Sequence, residues 1–190
     1  MDTIANATEQ HTIVNGVDVT ALGETLDTVA RQPELAQFRF RNANRWIDGS
    51  LNCSTIKGFY GAGNEDDTRT EPYEFYCDEP PVLLGNDAGA NPVEYLLHAL
   101  AGCMTTSMVY HAASRGVVIE KLDSTIEGDI DIRGFTGLSE DVPKGYREIR
   151  VAFRAKTNGD AAQLEELTRM SPVYNTIAGS VPVVVTVETY

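Results

Sequence analysis

Cys103 is the residue of this chain best placed to do chemistry, at the end of the run Asn91-Pro92-Val93-Glu94-Tyr95-Leu96-Leu97-His98-Ala99-Leu100-Ala101-Gly102-Cys103. A cysteine attacks as its thiolate, which a nearby cation, a helix N-terminus or a hydrogen-bond donor must stabilise. The local sequence supplies little of this. From Glu71 to Cys103 there is no Lys or Arg, while Glu71, Glu74, Asp78, Glu79, Asp87 and Glu94 all fall there. In a helix starting at Pro92, Cys103 would sit about three turns in, too far along for much help from the dipole. Glu94 has two readings: a catalytic carboxylate, or a first-turn acid favoured by the helix dipole.

His98 precedes Cys103 by five residues, about 500° of helical rotation, and His111 follows at about 12 Å along the axis. Neither is placed as its base, and both read as structural or interfacial. The other two cysteines, Cys53 and Cys77, fall in strand-like segments, where a hairpin centred near Glu65 would set them roughly opposite each other. Sheet thiols that never react are the expected outcome of that pairing. The three scattered cysteines lack the paired spacing of a zinc site, so no metal is expected. Gly61-Ala62-Gly63-Asn64 precedes acidic residues rather than a Lys and a helix start, and reads as a surface turn, not a phosphate loop.

The elements that must position these residues follow from periodicity. Val19, Leu22, Leu26, Val29 and Ala30 mark one face of a short amphipathic helix over residues 19–31, stopped by Pro33. Residues 37–46 and 50–60 read as an antiparallel pair turning at Asp48-Gly49, and residues 73–77 as a short aromatic strand. Asn91 followed by Pro92 is a helix start, with Asn as N-cap and Pro at the first helical position. Apolar and small residues then run almost all round to Ala113, with Gly116 placed to end the helix. Such a helix is expected to be buried on most sides, between a sheet and a second subunit. Residues 121–133 and 146–156 alternate as a hairpin around a long loop; residues 160–170 form a helix with Leu164 and Leu167 inside; Pro172 opens another; residues 181–187 form a last strand. The order is α+β rather than doubly wound.

The 190 residues fit one domain, with residues 1–35 as an N-terminal extension. A formal charge of −13 argues against nucleic acid as a partner, since phosphate binding needs a surplus of Lys and Arg. Residues 1–15 lack the basic start and apolar run of a signal peptide. The one long apolar stretch is interrupted by His98, Thr105, Thr106 and His111, so no membrane partner is expected. An odd number of cysteines suits a reducing, cytoplasmic compartment.

The run from Asn91 to Cys103 resembles the central helix of the OsmC and organic hydroperoxide resistance family, which opens with an NPxE-like start and carries a cysteine after Leu and Ala. The resemblance continues through Ala112 to Gly128 and into Ser171-Pro172-Val173, covering residues 72–190. It implies an OsmC-like fold, antiparallel sheets around a buried central helix in an intertwined homodimer, with sites at the subunit interface. It also implies peroxide reduction by two cysteines with an Arg and a Glu, the thiol restored by an external thiol or dithiol and no bound cofactor. Cys103 matches the attacking cysteine.

Three positions depart from that pattern. Ser171 stands where the family has its second cysteine, and a hydroxyl cannot condense with a sulfenic acid to give a disulfide. Cys53 or Cys77 could substitute only within disulfide distance. Val93 occupies the position of the family's Glu when the Asn-Pro pairs are aligned, leaving Glu94 one residue later. The Arg ahead of the helix is missing, with Arg39, Arg41, Arg45 and Arg69 all open as replacements. Cys103 and Glu94 are thus the candidate catalytic residues, and Asn91 and Ser171 the candidate binding residues. Two functions compete: a reductase of organic hydroperoxides, and an inactive relative that binds a small apolar ligand at the dimer interface.

Overall fold

A hairpin absent from the sequence expectations is the first element of the described residues. The structure is a computed structural model and describes residues 11–190; residues 1–10, most of the segment read as lacking a signal peptide, lie outside the described residues. β1 (Ile13–Val14) and β2 (Val17–Asp18) pair antiparallel. Asn15 and Gly16 turn between them with φ of 53° and 76°, the left-handed geometry that makes Asn-Gly a hairpin dipeptide. α1 (Val19–Arg31) then has the bounds its periodicity predicts.

β3 (Ala43–Asp48) and β4 (Leu51–Ile56) pair antiparallel through Asp48-Gly49, both shorter than expected. β5 (Phe59–Gly61) and β6 (Asn64–Asp66) form a separate small hairpin before β7 (Tyr73–Cys77). The long helix is α2 (Pro92–Ala113). After it come β8 (Ile119–Ile130), α3 (Ile132–Phe135), β9 (Tyr146–Thr157), α4 (Ala161–Thr168), α5 (Pro172–Ala178) and β10 (Val183–Thr189). The helix α3 corrects an expectation, because Ile132 and Arg133 fall within the segment 121–133 whose alternation reads as a strand. Asp131 breaks the strand by capping α3: its carboxylate accepts from Arg133 N–H at 3.0 Å and is held by the Arg133 and Arg147 guanidinium groups.

The described chain divides into two compact units, residues 27–102 and residues up to 26 together with 103–190. The first carries a three-stranded antiparallel sheet in the order β3-β4-β7. The second carries a sheet in the order β10-β9-β8. That second sheet is mixed, not antiparallel throughout as expected: β8 and β9 are antiparallel, but β10 runs parallel to β9. The physical reason is the connection. Parallel strands need a long crossover, and α4 and α5 supply it.

The core of the second unit is legible in β9, where Ile149, Val151, Phe153 and Ala155 alternate inward and are fully buried. Val185 of β10, Leu164 and Leu167 of α4, and Tyr174 and Ile177 of α5 complete it. Asp160 caps α4 by accepting from Ala162 N–H at 3.0 Å.

Candidate functional site

The start of α2 is fixed by side chains that the sequence marked for other roles. Asn91 Oδ1 accepts from Val93 N–H at 2.9 Å, and Glu94 Oε2 accepts from Asn91 N–H at 2.9 Å. Together they form a reciprocal cap with Pro92 at the first helical position. The Asn91 amide also donates to the Glu79 carboxylate. The far end closes as predicted: Gly116 has φ of 71°, Val117 N–H reaches Ala112 O at 2.9 Å, and Gly116 N–H reaches Ala113 O at 3.0 Å.

The loop ahead of α2 is organised by Asp78, which in the sequence is only one of the acids between Glu71 and Cys103. Its carboxylate is buried and accepts from Ser50 Oγ–H at 2.5 Å, Glu79 N–H at 2.9 Å, and Asn86 and Ala88 N–H each at 3.1 Å. The Ser50 hydroxyl and these amides hold its pKa down at about 2. Two glycines let the loop fold over itself: a Cβ on Gly85 would meet Glu79 O at 1.8 Å, and one on Gly89 would meet Tyr76 O at 2.1 Å. The cue available in sequence was an acid next to a loop containing both glycines.

Along α2, Leu100, Met104, Met108 and Ala112 recur every four residues and are fully buried. Other positions of the helix stay open within the one chain. Leu96 is 39 % exposed and Tyr110 46 %, and Ala99, Gly102 and Thr106 are also exposed. A single chain covers one stripe of a helix that is apolar nearly all round. Cys103 is a free thiol of intermediate exposure, three or four residues from Ala99 and Thr106 and two turns from Leu96 and Tyr110, and so on their side of the helix.

Glu94 is not brought to that side. Nine residues separate it from Cys103, about 900° of rotation and about 13.5 Å of rise, which sets the two on opposite sides of α2. Glu94 shares its side instead with His98 one turn on. With Phe75, Ala90 and Tyr95 they line an open cleft of about 450 Å³. Tyr95 meets Phe75 edge-on with ring centroids 6.2 Å apart, and its hydroxyl donates to Tyr76 O at 3.0 Å. His111 is partly buried, and that burial lowers its pKa.

The expected opposition of Cys53 and Cys77 is corrected by one residue. Cys53 pairs with Tyr76 and Cys77 with Asn52, so the two thiols project from opposite faces of their sheet. Cys53 is buried with Arg45 and Tyr76 as its cross-strand neighbours, and burial pushes the Cys77 thiol pKa up. Ser171 is fully buried and caps α5, its hydroxyl accepting from Tyr174 N–H at 3.1 Å. Among the candidate arginines, Arg41 forks onto Glu65 at 2.7 and 2.8 Å. Arg69 donates to Lys57 O at 2.8 Å and lies over the Phe59 and Tyr73 rings. Among the described residues no group of three His, Cys, Asp or Glu side chains could hold a metal ion, and no helix is long and apolar enough to cross a membrane.

Comparison with known proteins matches residues 85–186 to the family model described as OsmC-like protein. No curated protein sequence matches the chain. Solved structures share its fold. The OsmC-like protein of Mycoplasma pneumoniae aligns with a TM-score of 0.59 at 17% identity, over 80% of this chain and 96% of that one. An organic hydroperoxide resistance protein of Elizabethkingia anophelis, with crystallant-derived thiocyanate bound, aligns with a TM-score of 0.58 at 18% identity, over 80% and 97%. A Legionella pneumophila structure described as an organic hydroperoxide resistance protein OsmC aligns with a TM-score of 0.51 at 18% identity, over 78% and 97%.

Proposed function

Since the chain belongs to the OsmC-like protein family, we propose that it is a thiol-dependent reductase of organic hydroperoxides working with a single cysteine, Cys103, and an external thiol. The observation that carries this reading is the free, part-exposed Cys103 thiol on the uncovered side of α2. In the proposed cycle the thiolate attacks the distal peroxide oxygen. The O–O bond breaks, the alkoxide leaves and takes a proton as the alcohol, and sulfur is oxidised to a sulfenic acid. An external thiol condenses with it, releasing water and forming a mixed disulfide. A second thiol, or the other arm of a dithiol, restores Cys103 and leaves as the disulfide. Resolution comes from outside because Ser171 cannot form a disulfide and its hydroxyl is committed to capping α5.

The reading includes a homodimer in a reducing, cytoplasmic compartment. Exposed Leu96, Ala99, Gly102, Thr106 and Tyr110 support the dimer, because a second copy would cover a helix face that one chain leaves open. A second reading, a non-catalytic protein that binds a small apolar ligand at that interface, is favoured by the absence of Lys and Arg from Glu71 to Cys103 and by Glu94 lying on the far side of α2.

The deciding experiment is consumption of cumene hydroperoxide by purified protein with dihydrolipoamide, comparing the native chain with Cys103→Ser and following thiol oxidation by mass. Turnover that the substitution abolishes, with sulfenic acid or a mixed disulfide on Cys103, is the expected result. No turnover, with Cys103 still reduced under peroxide, overturns the reductase in favour of the ligand-binding reading.

A further inference from the structure

We propose that the cleft between β7 and the first turns of α2 is a second binding site, selective for small organic cations with an apolar body. It stands apart from the thiol chemistry, because His98 and Glu94 face away from the Cys103 side of α2. The cleft of about 450 Å³ is of a size that holds a small ligand. Phe75 and Tyr95 give it two aromatic walls held edge to face, and ring faces attract a cation laid against them.

Glu94 supplies the charge. Its Oε2 is occupied by the Asn91 amide, and no hydrogen bond engages Oε1 among the described residues. His98, one turn further on, adds a ring nitrogen on the same side. The surrounding sequence is one-signed: from Glu71 to Ser114 there is no Lys or Arg, in a chain of net charge −13. No Lys or Arg is among the residues that line the cleft, so an anionic ligand would meet the Glu94 carboxylate with no lysine or arginine side chain lining the cleft to pair with it, and a cation would be drawn by that carboxylate. The positive end of the α2 dipole opposes a cation in the first turn, but its influence fades within that turn. Two of its free amide groups are already taken, Val93 N–H by Asn91 Oδ1 and Asn91 N–H by Glu94.

The substitution Glu94→Gln isolates the charge, because Gln serves in a capping box as Glu does and so preserves the helix start. The test titrates benzylammonium, benzyl alcohol and benzoate into the full-length protein and follows the Ala90 methyl and His98 ring signals by NMR. For probes this small, binding in the millimolar range is expected. Benzylammonium should bind about tenfold more tightly than either isostere, and Glu94→Gln should erase that preference while leaving benzyl alcohol binding unchanged. Three overlapping titrations, a cation preference that survives in Glu94→Gln, or shifts spread over the acidic surface without Ala90 and His98 would each overturn the proposal.

Discussion

The two sheets of this protein differ in how far each is buried within its own chain. In β9 four successive inward side chains are fully buried, and helices α4 and α5 belong to the same unit. In β3, β4 and β7 only Cys53 is buried, and five of the six residues of β3 are exposed. The β10-β9-β8 sheet follows the rule that an alternating strand hides one face under its own chain. The β3-β4-β7 sheet retains an open surface even though its strands pair along most of their length, so hydrogen bonding and burial are specified separately.

The largest test of that contrast is Phe153→Ala. Phe153 is fully buried in β9, and its truncation should cost about 3–5 kcal/mol in denaturant unfolding, as large-to-small core changes do. A loss below about 1 kcal/mol would mean that this core is looser than its burial implies.

A second effect separates the sheets by pH. The Asp78 carboxyl is held at about 2, below the roughly 3.9 of an unfolded chain. Its contribution is therefore fully present above about pH 4 and is lost as pH falls toward 2. Melting temperature should drop over that interval in the native protein and drop less in Asp78→Asn, which starts lower. Parallel acid curves for the two proteins would remove Asp78 from the account.

The smallest effect is expected at Trp46, which is 69 % exposed in β3. Trp46→Ala should change stability by less than about 0.5 kcal/mol in dilute protein. A loss of about 2 kcal/mol that grows with protein concentration would show that another chain covers this sheet.

What the sequence disclosed followed from local rules. α1 came out to the residue because Pro33 stops a clear apolar stripe, and α2 because Asn91-Pro92 and Gly116 bracket it. Relations between distant segments were not readable. Alternation in residues 183–189 says that a strand exists but not which way it runs beside β9, and the pairing of Cys53 with Tyr76 rather than Cys77 is a one-residue register that strand-like composition does not specify. Cys103 was located by its surroundings, whereas Glu94 changed meaning once its amide partner and its side of the helix were known. Asp78 stayed hidden because its four donors come from a serine in a distant turn and from three backbone amides.

The parallel pairing of β10 with β9 also sets an order of events in time. β8 and β9 can zip together across their loop as soon as both are present, a comparatively local closure. β10 can register on β9 only after the chain from Thr157 to Val183 has coiled into α4 and α5 and brought it back in the right direction. Until then Ile149, Val151 and Phe153 lack part of their cover. The slow step of refolding, and the moment at which the chain is most prone to stick to its neighbours, should therefore be the docking of this last strand.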